Sequence, residues 1–125
     1  MDRAEKVARL EGAYRLFNLR RIDDLLDMMI DDVRWPDVAH GTVLEGKAAI
    51  RQYWEAQFGA AAPQVFPTGF LGVDDDLVAV VEQRIYDLVG NLLMEPAVVY
   101  HRYSFDRRLI SRMTVFERRE DAVTS

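Results

Sequence analysis

Cysteine is absent from this sequence, and with it go a disulfide framework, a thiolate nucleophile and a thiolate metal site. Histidine is almost as scarce. Only His40 and His101 are present, and their spacing to Asp37 or Glu82 matches no ligand motif, so neither a metal nor any other cofactor is expected. No apolar run approaches the ~18 residues needed to span a bilayer, and the opening Met-Asp-Arg-Ala-Glu-Lys is too charged for a signal peptide. These features point to a cytoplasmic protein with no membrane partner. Excess positive charge is missing too: the net charge is -5, and the arginines lie among acids, doubled only at Arg20-Arg21, Arg107-Arg108 and Arg118-Arg119. Tracking a phosphate backbone needs Lys and Arg clustered on one face, so nucleic acid is excluded as an expected partner.

What is present is ordinary globular material. The 125 residues are 50% apolar and 30% charged, enough to bury one core unaided. A single domain over 1-120 with a frayed tail at 121-125 is the expectation.

Apolar residues at Val7, Leu10, Tyr14 and Phe17 recur at helical spacing and predict a helix from Asp2 to Asn18. After a polar break, Ile22, Leu25, Leu26, Met29 and Ile30 predict a second, with Asp23 and Asp24 in its first turn, ending near Asp31. Val33, Trp35 and Asp37 then alternate like a strand that Pro36 should stop. A loop over Val38 to Glu45 leads to a third helix from Lys47 to Phe58. Breakers around Pro63 and Pro67 predict a linker and then a strand from Thr68 to Val73. Strands are predicted over Leu77 to Asp87, Leu92 to Phe105 and Leu109 to Glu117, with a hairpin connection at Leu88 to Asn91, giving an antiparallel meander. Helices first and strands later indicate an α+β fold, three N-terminal helices packing on the concave face of a curved antiparallel sheet.

Within this frame Asp37 stands at a strand end beside a tryptophan. Two readings are open: a general base tuned by a pocket, or a turn aspartate bonding nearby backbone amides.

The order helix, helix, Asp31-Asp32-Val33-Arg34-Trp35, loop, Leu44-Glu45-Gly46-Lys47-Ala48-Ala49-Ile50-Arg51-Gln52-Tyr53-Trp54, then a hairpin to Val99-Tyr100-His101-Arg102-Tyr103-Ser104-Phe105 and Leu109-Ile110-Ser111-Arg112-Met113, resembles the SnoaL-like branch of the nuclear transport factor 2-like superfamily. The resemblance implies a cone-shaped fold that hosts cyclases, isomerases, dehydratases, epoxide hydrolases and non-catalytic modules. Matched to ketosteroid isomerase through Asn18, it puts Asp37 on the general-base aspartate and His101 on the protonated aspartate that donates to the oxyanion. Tyr103 and Phe105 follow on the same face. The catalytic tyrosine of that family maps instead to Ala13, with Tyr14 turned about 100° around the helix axis. Matched through Gly90, Glu82, Arg84 and Tyr86 fall where the isomerase keeps mostly aromatic, ligand-contacting residues.

His101 can thus serve as an oxyanion donor, a proton shuttle or a partner of Asp37, or as a half-buried histidine satisfied by a neighbour. Glu82 and Arg84 share one strand face. Turned inward they must pair with each other or with a ligand; turned outward they are surface charges, and the alternate face of Leu77, Ala79, Val81 and Gln83 is the more apolar. Arg112 is an anion clamp if it faces inward. Trp35, Trp54, Tyr14 and Tyr103 are core or pocket wall.

The reading is a pocket for a small apolar or carbonyl-containing molecule. Asp37 and His101 carry acid-base chemistry of the isomerase, cyclase or dehydratase kind, converging within about 4 to 7 Å in an enclosed cavity. Alternatives are a non-catalytic binding module and a dimerisation module. A homodimer through the outer sheet face is the expected assembly.

Overall fold

The computed structural model describes residues 1–124. Its first helix, α1 (Arg3–Asn18), starts where Asp2 accepts the backbone N–H of Glu5 at 2.9 Å, an N-cap that satisfies a donor the helix cannot. After a turn in which Arg20 takes a left-handed backbone come α2 (Ile22–Leu26), β1 (Met29–Asp37), β2 (Thr42–Glu45) and α3 (Lys47–Ala60). There follow β3 (Ala62–Val73), β4 (Asp76–Tyr86), β5 (Ala97–Asp106), β6 (Leu109–Phe116) and a short α4 (Arg119–Ala122). The strands form one curved, unclosed sheet in the order β2-β1-β6-β5-β4-β3. All neighbours are antiparallel except β1 and β6, which run parallel. The α+β architecture is as expected.

Several boundaries differ from the expectation, each for a physical reason. The second helix stops at Leu26 because Met29 already pairs with Ile110 of β6, so the sheet claims Met29 and Ile30. Pro36 lies inside β1 rather than ending it, opposite Val43 of β2, a strand where a loop was expected. The linker is also strand: β3 runs through Pro63 and Pro67, which a sheet tolerates because β3 is an edge, with an irregularity between Pro67 and Gly69. Between β4 and β5 the connection spans 87–96, longer than the expected hairpin, with Leu92 only bridging Tyr86.

The tail at 121–125 is not frayed over its described part. Ala122 is fully buried, and Arg102 donates to the carbonyls of Ala122 and Thr124 while pairing with Asp76 at 2.8 Å, so the chain end is held against the outer sheet face. Ser125 lies outside the described residues.

The core sits between the helices and the inner sheet face. Leu10, Val33, Ile50, Trp54, Leu77, Val81 and Ile110 are almost wholly buried there. Side chains at and just after α1 also close the free edge of β3. Arg3 donates to Phe70 O (2.7 Å) and Arg20 to Pro63 O (2.6 Å), while Asn18 both donates to Val65 O (2.8 Å) and accepts from Val65 N–H (2.9 Å). Among the described residues no helix is long and apolar enough to cross a membrane.

Candidate functional site

Strand parity decides what the interior sees. On β4 the residues Leu77, Ala79 and Val81 are buried and Gln83 follows them inward; cross-strand, His101 lies opposite Ala79, and Tyr103 opposite Leu77. These side chains, with α1 and α3 above them, leave a cavity of about 320 Å³, within the range of small-molecule sites. Its wall is mostly apolar, including Phe17, Leu25, Met29, Val65, Val99 and Met113. Trp35, Trp54, Tyr14, His101 and Tyr103 line it as well. At its rim stand the exposed Val38 and Glu117.

One polar chain crosses this wall. The Tyr103 hydroxyl lies 2.8 Å from that of Tyr14, and the Tyr14 hydroxyl lies 2.8 Å from His101 Nδ1. Tyr14 and His101 stack at 5.9 Å between ring centroids, and Tyr103 meets both edge-on. All three residues are buried. Burial pushes the His101 imidazolium down from 6.5 to about 4, so the ring is neutral near pH 7. Burial likewise raises the Tyr103 hydroxyl, and it raises that of Tyr14 with the neighbouring Tyr103 adding to the effect. A neutral ring has one N–H and one lone pair. With Nδ1 accepting from Tyr14, the proton is on Nε2, which has no partner among the described residues and is not sealed from the cavity.

Asp37 does not join this chain. It is buried on the inner side of β1, but its carboxylate accepts from His40, at 2.8 Å from the ring Nδ1 and 3.3 Å from the backbone N–H. The expected Asp37–His101 pair is therefore replaced by two separate pairs, and Asp37 is not part of the cavity wall. The reason is local: the turn after β1 brings His40 back within reach, whereas His101 is taken by Tyr14. Asp37 still acts on the rim, because its charge, after burial, helps raise the Tyr53 hydroxyl.

Glu82 and Arg84 are on the opposite parity from Val81 and Gln83 and do not line the cavity. They pair with each other at 3.3 Å on the outer sheet face, where Arg84 also lies over Phe66. Arg112, opposite Ser104, faces the same way and borders a separate outer cleft of about 250 Å³ with Asp76 and Phe116. The inward placement considered for these three charges is corrected by strand parity.

Four polar wall residues were not singled out in the sequence: Tyr53, Gln57, Gln83 and Glu117. Two had a signal. Gln57 lies one helical turn beyond Tyr53, and Gln83 continues the alternation of Leu77, Ala79 and Val81. Tyr14, one place from Ala13, also reaches the cavity, because the buried stripe of a helix is at least about 100° wide and admits both. Among the described residues no cluster of His, Asp and Glu could hold a metal ion.

A family model described as a SnoaL-like domain matches residues 10–125. Among solved structures, the chain is similar to TerC co-crystallised with polyporic acid, at 20% identity over 94% of this chain and 93% of that one, with a TM-score of 0.76. It is similar to Δ5-3-ketosteroid isomerase from Mycobacterium sp., at 19% identity over 93% and 94% of the two chains, with a TM-score of 0.75. It is also similar to Rv0760c from Mycobacterium tuberculosis in complex with estradiol-17β-hemisuccinate, at 16% identity over 91% and 93%, with a TM-score of 0.74. At these identities the likeness concerns the fold. None of the curated proteins matches the chain.

Proposed function

Given that the chain belongs to the SnoaL-like domain family, we propose that its cavity binds a small, largely apolar molecule carrying a carbonyl oxygen, and that His101 Nε2–H donates to that oxygen. The observation that carries this reading is the 2.8 Å contact of His101 Nδ1 with the Tyr14 hydroxyl: when Tyr14 donates, the proton of the neutral ring is on Nε2, which has no partner among the described residues. A hydrogen bond in an apolar cavity is stronger than in water, and a donor fixed before the ligand arrives costs no reorganisation. Drawing charge onto the oxygen acidifies the neighbouring C–H, so isomerisation, aldol-type cyclisation and dehydration fit the same device. That related folds hold polyporic acid or a steroid ester supports a small-molecule ligand.

The test is a calorimetric titration with 4-phenyl-2-butanone, a small apolar ketone, against the protein and its His101→Leu variant. Loss of the donor should weaken binding about tenfold. Equal affinity for the two proteins would remove His101 from the reading. α-Hydrogen exchange of the bound ketone in D₂O, followed by NMR, separates an enzyme from a binder. Non-catalytic binding is the second reading, favoured by one observation: the carboxylate of Asp37 is occupied by His40 and lies outside the cavity wall. Unchanged exchange in Asp37→Asn would leave that residue out of any mechanism.

A homodimer through the outer sheet face belongs to the same proposal. It is supported by Phe66 and Val98, which are exposed on either side of Glu82 on that face. Sedimentation of Val98→Asp should show a shift toward monomer; an unchanged distribution would count against this interface.

A further inference from the structure

The Tyr103–Tyr14–His101 chain has a property that a single donor lacks: it can be set in either of two directions. In one, Tyr103 O–H donates to Tyr14, Tyr14 O–H donates to His101 Nδ1, and the cavity sees an Nε2–H donor together with a Tyr103 oxygen that accepts. In the other, Nδ1–H donates to Tyr14, Tyr14 O–H donates to Tyr103, and the cavity sees an Nε2 lone pair together with a Tyr103 O–H that donates. In both settings the two protons inside the chain have acceptors and the third faces the cavity, and both hydroxyls and the ring stay neutral throughout. The two ends belong to rings 6.3 Å apart on one wall.

Resting on the carbonyl-binding reading above, we propose that this chain is a two-ended proton relay, and that the ligand class it selects is an enolisable 1,3-dicarbonyl, a molecule with a carbonyl and an enol hydroxyl to present to the two ends. From the second setting, Nε2 takes the proton on the carbon between the carbonyls. Nδ1 then releases its proton to Tyr14, Tyr14 passes its own to Tyr103, and Tyr103 gives its own to a carbonyl oxygen. The C–H electron pair becomes the new C=C bond, and the C=O π pair becomes the O–H bond. One proton enters the relay and one leaves it. The protein is left in the first setting, which catalyses the reverse step, and exchange with water past Val38 and Glu117 restores the second. The step uses no carboxylate: Asp37 lies outside the wall and Glu117 stands at the exposed rim.

The experiment uses 1-phenyl-1,3-butanedione, whose enol and keto forms differ in ultraviolet absorbance, beside 4-phenyl-2-butanone, which lacks the second oxygen. The full chain should bind the diketone at least about tenfold more tightly than the mono-ketone and accelerate its keto–enol interconversion. Tyr103→Phe should bring the affinity ratio close to one and slow interconversion about 100-fold. His101→Gln, which keeps an N–H but cannot relay a proton, should lose interconversion while its N–H still serves the mono-ketone. A wild-type ratio near one, or a ratio and a rate that survive Tyr103→Phe, would overturn the relay. Mono-ketone binding indifferent to His101→Leu would instead overturn the underlying reading, so the two failures are distinct.

Discussion

Tyr14 and His101, 87 positions apart in the chain, are joined by a 2.8 Å hydrogen bond in the wall of a largely apolar cavity. Tyr14→Phe removes both the donor to Nδ1 and the acceptor for Tyr103, with no change of ring volume. Leaving buried polar groups unpaired costs about 1 to 3 kcal/mol, so the urea midpoint should fall with its slope unchanged. A midpoint equal to that of the parent would show that water replaces the tyrosine hydroxyl fully.

Burial of His101 also makes stability depend on pH. The folded chain holds the ring at about 4 and its ordinary value is 6.5, so between these limits the unfolded chain binds a proton that the folded chain refuses. The stabilisation is fully present above about 6.5 and is lost as the pH falls toward 4, by about 3 kcal/mol in all. Urea unfolding from pH 7 to 4 should show a shallower decline for His101→Gln than for the parent. Parallel curves would contradict it.

Asn18 meets Val65 through both its amide N–H and its oxygen, as a neighbouring strand would. Asn18→Ala should cost about 1 to 3 kcal/mol and speed amide exchange at Val65 well beyond that of its neighbours. Exchange that rises uniformly along β3 would point to general loosening rather than loss of this clamp.

Glu82 and Arg84 pair on the outer face, so Glu82→Gln and Arg84→Gln should leave ketone binding unchanged. A change of affinity in either would place their face toward the ligand after all.

Much of this architecture was legible because periodicity and burial agreed. The 3-4 spacing of Leu10, Tyr14 and Phe17 and the alternation from Leu77 to Val81 both located true inner faces. What failed did so where tertiary partners outvote local signals. Leu25, Leu26, Met29 and Ile30 fit a helix, yet Met29 is strand because Ile110 is its neighbour. Pro63 and Pro67 look like breakers until β3 is known to be an edge. The site divided in the same way. The inward place of His101 follows from its strand alternation, but its partner does not: Asp37 has a nearer one in His40, and Tyr14 comes from a helix whose rotation one-dimensional spacing fixes only coarsely.

The closure of β3 by side chains from the first helix and the turn after it has a consequence for how copies of this protein can meet. A free strand edge is a template on which another chain can add, which is how sheets run on into fibrils. Here the carbonyls of Pro63, Val65 and Phe70 and the N–H of Val65 are already engaged, and the two prolines offer no N–H at all. The opposite edge, β2, is four residues long. Neither rim offers a long open ladder, so growth of the sheet from one molecule into the next is suppressed at both ends.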